Sequence, residues 1–264
     1  MHLDDSLGNE DRLTLVCQHH EQACAIAVEG YARVRGDLGV AVVTTGAGNP
    51  GKYMPELQAK GIKVLPIAPS TALARRLEQG GADAIIGEGM EAGGHIGELT
   101  TMVLVPQLVD AVSLPVVAAG GIADGRGIAA AFALGAEGVQ LGTRFMCATE
   151  CTIHPDIKAR LLKAKDRDTV ITGYSTGHPV RVLKNRLARE LIELDRANKP
   201  EELEALGAGK LALAMRHGDT ENGSLMAGQC ASMVVCIQPA AEIVSQLAAE
   251  AEAVMKSLAS RVSA

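Results

Sequence analysis

The sequence predicts an α/β fold in which short parallel strands alternate with helices, the rhythm of a parallel sheet or a (β/α)8 barrel. Three observations carry this. Runs rich in Val and Ile recur along the first 150 residues, nearly continuous in apolar character, as strands buried on both faces require. Helical patterns separate them, and most close on glycine. Glycines also gather directly behind the apolar runs, at the strand ends where α/β proteins build their ligand loops.

Taken in order, "RLTLVCQ" (12–18) is a candidate strand, and "HEQACAIAVEGYARV" (20–34) reads as a helix. Its Ala23, Ala27 and Ala32 suit close packing on a sheet. Strands follow at "GVAVVTT" (39–45), "IKVLPIA" (62–68), "ADAIIG" (82–87), "LPVVAAG" (114–120) and "EGVQLG" (137–142). The helical stretches between them are "KYMPELQAKG", "STALARRLEQGG", "TTMVLVPQLVDAV" and "GRGIAAAFALGA". One βα unit recurs every ~20–30 residues, as parallel sheets and barrels require. Beyond residue 150 helical patterns dominate: "HPDIKARLLKAK", "VRVLKNRLARELIELDRA" and a last amphipathic run over 240–262. A closed barrel of this kind takes eight strands, so the sheet is expected to be open, or the barrel incomplete at its N-terminal side.

Composition narrows the function. Hydrophobic residues make up 47% of the 264, while aromatics make up 2%, so the core must be built from Ala, Val, Leu and Ile. The net charge of −6 argues against nucleic acid as a partner, because phosphate contacts need clustered Lys and Arg. No apolar run approaches the length of a membrane span, and no secretory leader pattern opens the chain. The cysteines Cys17, Cys24, Cys147, Cys151, Cys230 and Cys236 show neither a CxxC pair nor zinc spacing. Free thiols in a reducing compartment, and hence a cytoplasmic location, are the expectation.

Chemistry concentrates in three loops. "EGMEAGGHIG" (88–97) sets His95 between flexible glycines directly after a strand, where a flat ring could approach closely. Histidine there can donate a proton or stabilise negative charge near neutral pH. "VVAAGGIADGRG" and "VQLGTRF" each run from a strand into glycine, at Gly120-Gly121 and Gly142-Thr143. Exposed backbone N–H groups at such turns make an anion site, to which the Thr143 hydroxyl adds a donor. Glycines can serve only to let helices pack on strands, but two such turns after successive strands favour a phosphate clasp. Asp124 is expected to cap the following helix. His154, His178 and His217 lie in polar or Pro-containing connections and read as surface residues or caps. HExxH, a Walker loop and a GxSxG elbow are absent from the sequence.

From about Val42 onward the chain resembles the FMN-dependent enoyl-acyl carrier protein reductases, within the nitronate monooxygenase (2-nitropropane dioxygenase) superfamily of TIM-barrel flavoproteins. The strings that carry this are "VTTGAGNPGKYM", "GADAIIGEGMEAGGHIGELTTM", "LPVVAAGGIADGRG", "GAEGVQLGTRF", "TGHPVRVLKN" and "NGSLMAGQ". The resemblance implies a TIM-barrel-type fold with a mainly helical C-terminal region, and His95 as the catalytic histidine beside the flavin. It implies that Glu88 and Gly93 line the FMN. Gly121, Gln140, Leu141, Gly142 and Thr143 would hold its phosphate end, and Met226, Gly228 and Gln229 would approach from the C-terminal region. The implied reaction is reduction of an enoyl thioester, carried on acyl carrier protein or as a small molecule, with NADH or NADPH as co-substrate. The alternative within the superfamily is oxidation of an alkyl nitronate with O2. A third possibility from another class is a remnant without catalysis.

Residues 10–48 are similar instead to a fragment of the pyrimidine-binding domain of thiamine diphosphate-dependent, acetolactate synthase-like enzymes. "HHEQACAIAVEGYARVRGDLGVAVVTTGAG" carries this, with Glu21, Gly30 and Tyr31 on that family's motif. The diphosphate- and metal-binding domain of those enzymes has no counterpart, and "GDTENG" (218–223) reads as an ordinary turn, so Glu21 is expected to be a solvated helix acid. The expected division is 1–48 as an N-terminal graft, 49–150 as the barrel portion with the FMN site, and 151–264 as a helical region completing it. Within that frame "VAVVTTG" should pair beside "KVLPIAP", leaving sheet edges open as a surface for homodimerisation.

Overall fold

The computed structural model describes residues 26–28, 42–45 and 50–262. Strands β1 (Ile26–Val28) and β2 (Val42–Thr45) come first, then α1 (Met54–Ala59) and β3 (Lys63–Ala68). Helix α2 (Thr71–Gln79) leads to β4 (Ile85–Glu88), and the short β5 (Gly94–His95) precedes α3 (Thr101–Ala111). The next units are β6 (Val116–Ala119), α4 (Gly125–Ala133) and β7 (Gly138–Leu141), followed by the single turn of α5 (Thr143–Met146) and by α6 (Pro155–Leu162). Strands β8 (Thr169–Thr172) and β9 (Val180–Leu183) form a hairpin-like pair. Helices α7 (Arg186–Arg196), α8 (Pro200–Gly207), α9 (Lys210–His217) and α10 (Ala240–Val262) complete the chain.

The main sheet has the order β1-β7-β6-β4-β3-β2. Strands β2, β3, β4, β6 and β7 are parallel, so all their carboxyl ends lie on one side. The expected pairing of "VAVVTTG" with "KVLPIAP" is present, with Val43 opposite Val64. Helix starts follow their side chains. Ser70 caps α2 by accepting from Leu73 N–H, and Asn185 caps α7 by accepting from Ala188 N–H at 2.8 Å. Asp124 caps α4 through Arg126 and Gly127 N–H, as its position before the glycines foretold. His154 caps α6, while His178 and His217 are exposed.

Two helical expectations are corrected. Residues 180–183 are a strand rather than the start of a helix, because "VRVL" pairs with β8 and β5, setting Val180 and Val182 against Ala188 and Met226 on one face and Arg181 and Leu183 on the other. Ile26–Val28, inside the stretch read as a helix, pairs antiparallel with β7, with Val28 opposite Val139. β7 would otherwise present an unpaired edge, and a β-branched segment fits that edge well. The C-terminal region is mainly helical, but β5, β9 and β8 build a second, antiparallel sheet that the sequence reading did not anticipate. The expectations for residues 12–18, Glu21, Gly30, Tyr31, Cys17 and Cys24 lie outside the described residues.

The core is aliphatic, as the composition requires, with Phe145 and Met54 as fully buried exceptions. Helix α10 lies on α4 and buries Ile243, Leu247 and Ala251 against Ile128, Ala131 and Val139. Gly125 sets the approach of these two helices: a Cβ there would stand 2.3 Å from the backbone nitrogen of Ala251. Gly125 N–H also donates to Glu250 Oε2 at 3.0 Å. Among the described residues Cys147, Cys151, Cys230 and Cys236 are not joined in disulfides. Among the described residues no helix is long and apolar enough to cross a membrane.

Replacing Gly125 with Ala should force α4 and α10 apart and cost roughly 1–3 kcal/mol, the scale of core overpacking. That loss corresponds to a fall in Tm of several degrees in a domain of this size. Gly207→Ala in α8 is the control, since nothing lies within 4 Å of a Cβ added there. Thermal unfolding followed by circular dichroism should separate the two variants; equal melting temperatures would show that the close approach is not limiting.

Candidate active site at the strand carboxyl ends

A cleft of about 60 Å³ opens where β4, β6 and β7 end. Its walls include Glu88 from the end of β4, Ala119 at the end of β6 with Gly120 and Gly121 after it, and Gln140 of β7 with Gly142 and Thr143 after that strand. Ala92 and Gly93 of the loop after β4 close one side, and Met226, Gly228 and Cys230 close another. The fold thus brings Glu88, Gly93, Gly121, Gln140, Gly142, Thr143, Met226 and Gly228 together from four separate segments. Gly120 and Gly121 have φ of 92° and 77°, a backbone conformation that side chains rarely adopt, so the turn after β6 needs its glycines.

The loop carrying "EGMEAGGH" is fixed by three sets of contacts. The Glu91 carboxylate accepts from Thr101 N–H at 2.8 Å and from the Thr101 hydroxyl at 2.9 Å, capping α3 where Thr100 makes no side-chain cap. Arg181, only 3% exposed, donates from Nη2 and Nε to the Met90 carbonyl at 2.9 and 3.1 Å. Its Nη1 reaches Thr169 Oγ1, so the antiparallel sheet braces the loop from behind. Segment 225–229 seals the third side. Gly228 N–H donates to Thr143 Oγ1 at 2.9 Å, Gln229 N–H donates to the Glu91 carbonyl at 2.8 Å, and a Cβ on Gly93 would collide with Ala227.

Gln140 is 3% exposed, yet its Oε1 has no hydrogen-bond partner. The other buried oxygen of this kind among the described residues is Thr45 Oγ1, at the carboxyl end of β2. Buried polar atoms are normally paired, so Gln140, which lines the cleft, leaves an acceptor there that a ligand donor could meet. Burial raises the Glu88 carboxyl to about 7. Burial also raises the Cys230 thiol to about 11, which keeps it protonated and unreactive. No Lys or Arg lines the cleft among the described residues, so an anion there would be met by backbone N–H groups and the Thr143 hydroxyl.

Three expected site residues lie off the cleft wall. Leu141 is buried in the core between the sheet and α10, leaving only its backbone near the site. Gln229 holds the glycine loop through its N–H. His95 sits on β5, paired with Val180 of β9, with an exposed side chain beyond the lining residues. Partial desolvation, and secondarily the nearby His178, lower its pKa, so the neutral imidazole prevails at pH 7. The bracing residues Glu91, Thr101 and Arg181 were missed by sequence reasoning. Glu91 stood inside the quoted loop, but nothing local says that its partner is ten residues away.

The family model described as nitronate monooxygenase matches residues 6–250. FabK from Thermotoga maritima has a similar structure, with a TM-score of 0.81 and 50% identity over 84% of this chain and 71% of that one. The probable nitronate monooxygenase of Staphylococcus saprophyticus is 41% identical over 171 residues, 60% of this chain and 48% of the relative. The (3aS,4S,5R,7aS)-5-hydroxy-7a-methyl-1-oxo-octahydro-1H-indene-4-carboxyl-CoA dehydrogenase of Rhodococcus jostii is 43% identical over 136 residues, 52% of this chain and 38% of the relative. The chain therefore spans half or less of the length of these curated relatives. With a family match across nearly its whole length, the chain belongs to the nitronate monooxygenase family.

Proposed function

We propose that the chain is an FMN-dependent oxidoreductase that reduces enoyl thioesters at the expense of NADH or NADPH. The observation that carries the flavin reading is the glycine-walled cleft at the carboxyl ends of β4, β6 and β7, lined by Gln140, whose Oε1 has no partner. FMN supplies hydride chemistry when bound, and the protein supplies orientation and electrostatics. In this reading Gly121, Gly142 and Thr143 hold the phosphate end, with the backbone of Leu141. Glu88, Gly93, Gln140, Met226 and Gly228 line the ring, and Gln229 keeps the glycine loop in place. His95, in its neutral form, donates an N–H to the negative charge that develops on the thioester carbonyl. The strings "GKYM", "HPVRVLKN" and "NGSLMAGQ" lean toward the reductase, and the likeness to FabK supports the same choice. The curated relative named for a carboxyl-CoA compound is consistent with a thioester substrate.

The family model favours a second reading, oxidation of an alkyl nitronate with O2. The two differ in what they consume. Enoyl thioester reduction uses one NADH or NADPH per turnover under anaerobic conditions, whereas nitronate oxidation draws oxygen and needs no nicotinamide. Anaerobic NAD(P)H oxidation that depends on an enoyl thioester is expected; oxygen uptake driven by nitronate alone would replace the reductase reading with the second. Under the same assay His95→Ala should keep its FMN but lose turnover by roughly 10²–10⁴-fold. Loss of flavin together with activity would make His95 a structural residue.

Gly142 offers the cleanest test of the cleft. Nothing lies within 4 Å of a Cβ added there, and its φ of −95° suits any residue. Gly142→Val should leave the fold intact and fill the space needed by the phosphate end, weakening FMN binding by more than tenfold. Gly121 cannot make this separation, because its φ of 77° strains any substitution. Unchanged flavin affinity in Gly142→Val, with parental circular dichroism, would remove the phosphate assignment.

A further inference from the structure

We propose that Glu88 enters the flavin complex as a neutral carboxylic acid that donates a hydrogen bond into the cleft, so that binding FMN takes up a proton. This rests on the reading that FMN occupies the cleft. Glu88 lines that cleft and has no hydrogen-bond donor directed at its carboxyl group among the described residues. A buried carboxylate normally needs two or three such donors to stay ionised. Glu91, three positions along, shows the contrast: its carboxylate accepts two hydrogen bonds from Thr101. Two strands away on the same register row, with Ala119 between them, Gln140 carries another acceptor without a donor at its Oε1. An ionised Glu88 would therefore add a carboxylate without a donor to a wall that already holds the unpaired Gln140 Oε1, facing a ligand that is itself an anion.

The surrounding elements offer no compensating charge. Strands β6 and β7 carry no titratable side chain. On β3, Lys63 lies at the opposite end and is paired with Asp83. Helix α2 carries Arg75, Arg76 and Glu78 on the outer layer, and Glu78 is bound to Ser113; α3 carries Asp110 in its last turn. The loop after β4 carries Glu91, held by Thr101, and His95 beyond it on β5. Arg181 is committed to Met90 and Thr169, and the Cys230 thiol stands across the cleft. Burial raises the Glu88 carboxyl to about 7. Ligand binding excludes more water and pushes it higher. The sign follows: below neutral pH the acid is already protonated and binding costs no proton uptake, whereas above it each FMN bound must first protonate Glu88.

The test is FMN affinity, read by quenching of flavin fluorescence, at about pH 6.5, 7.5 and 8.5. The parent Kd should rise with pH, approaching a tenfold increase per unit at the alkaline end, the limit for one linked proton. Glu88→Gln, which keeps shape and donates from its amide, should bind with a flat profile close to the parent's low-pH affinity. His95→Ala should keep the slope. Titration calorimetry of the parent at about pH 8 in two buffers of different ionisation enthalpy reads the same proton directly and needs no variant. A flat parent profile, or an equal slope in Glu88→Gln, overturns the proposal while the flavin reading stands. FMN that fails to bind at the lowest pH overturns both.

Discussion

The Glu91 carboxylate accepts both the N–H and the hydroxyl of Thr101 at the start of α3, and the cleft depends on that contact. It does two things together. It satisfies the first turn of a helix whose own N-cap residue makes no side-chain bond, and it pins the middle of a glycine-rich loop that could not hold its shape alone. The same Thr101 hydroxyl lies 2.9 Å from the Gly120 carbonyl, so the turn after β6 is drawn into the same knot. Arg181 then fixes Met90 from the antiparallel sheet, and the Glu91 carbonyl receives Gln229 from the C-terminal segment. Four chain segments meet at one tripeptide, Met90 to Ala92. Flexible glycines form a rigid wall because the residues between them are tied down on three sides.

Two glutamates of this loop illustrate how surroundings decide the role of a carboxyl group. Glu91 is tied at a helix start, where its carboxyl group accepts both the N–H and the hydroxyl of Thr101. Glu88 is buried at a strand end with no donor, where burial favours the neutral form. One holds the loop and the other lines the cleft. This division matches what a flavin site requires of its protein: a rigid frame, a few directed polar atoms and little bulk solvent.

Much of the fold could be read from the sequence. The strands of the parallel sheet were visible because burial on both faces makes them continuous Val and Ile runs, as in "KVLP" and "AIIG". Asp124 was legible as a cap because capping is local. The strand at 180–183 was not, since "VRVL" merges into the helical pattern of α7 and only the partnership with β8 and β5 makes it extended. The pairing of Ile26–Val28 with β7 is likewise a matter of an available edge rather than of local preference. At the site, the glycine turns announced themselves by position after strands, and eight of the named residues meet at the cleft. Arg181 and Thr101 gave no such signal. Their importance lies in partners 91 and 10 positions away, a distance over which pattern reading carries no information.

The central claim is that this cleft holds FMN. Its most direct test is to incubate the purified protein with FMN, remove free flavin on a desalting column and record the visible absorbance of the protein fraction. The account predicts flavin bands that travel with the protein in about equimolar amount at slightly acid pH, lost in Gly142→Val at unchanged elution volume. A colourless protein fraction from correctly folded parent chain would contradict it.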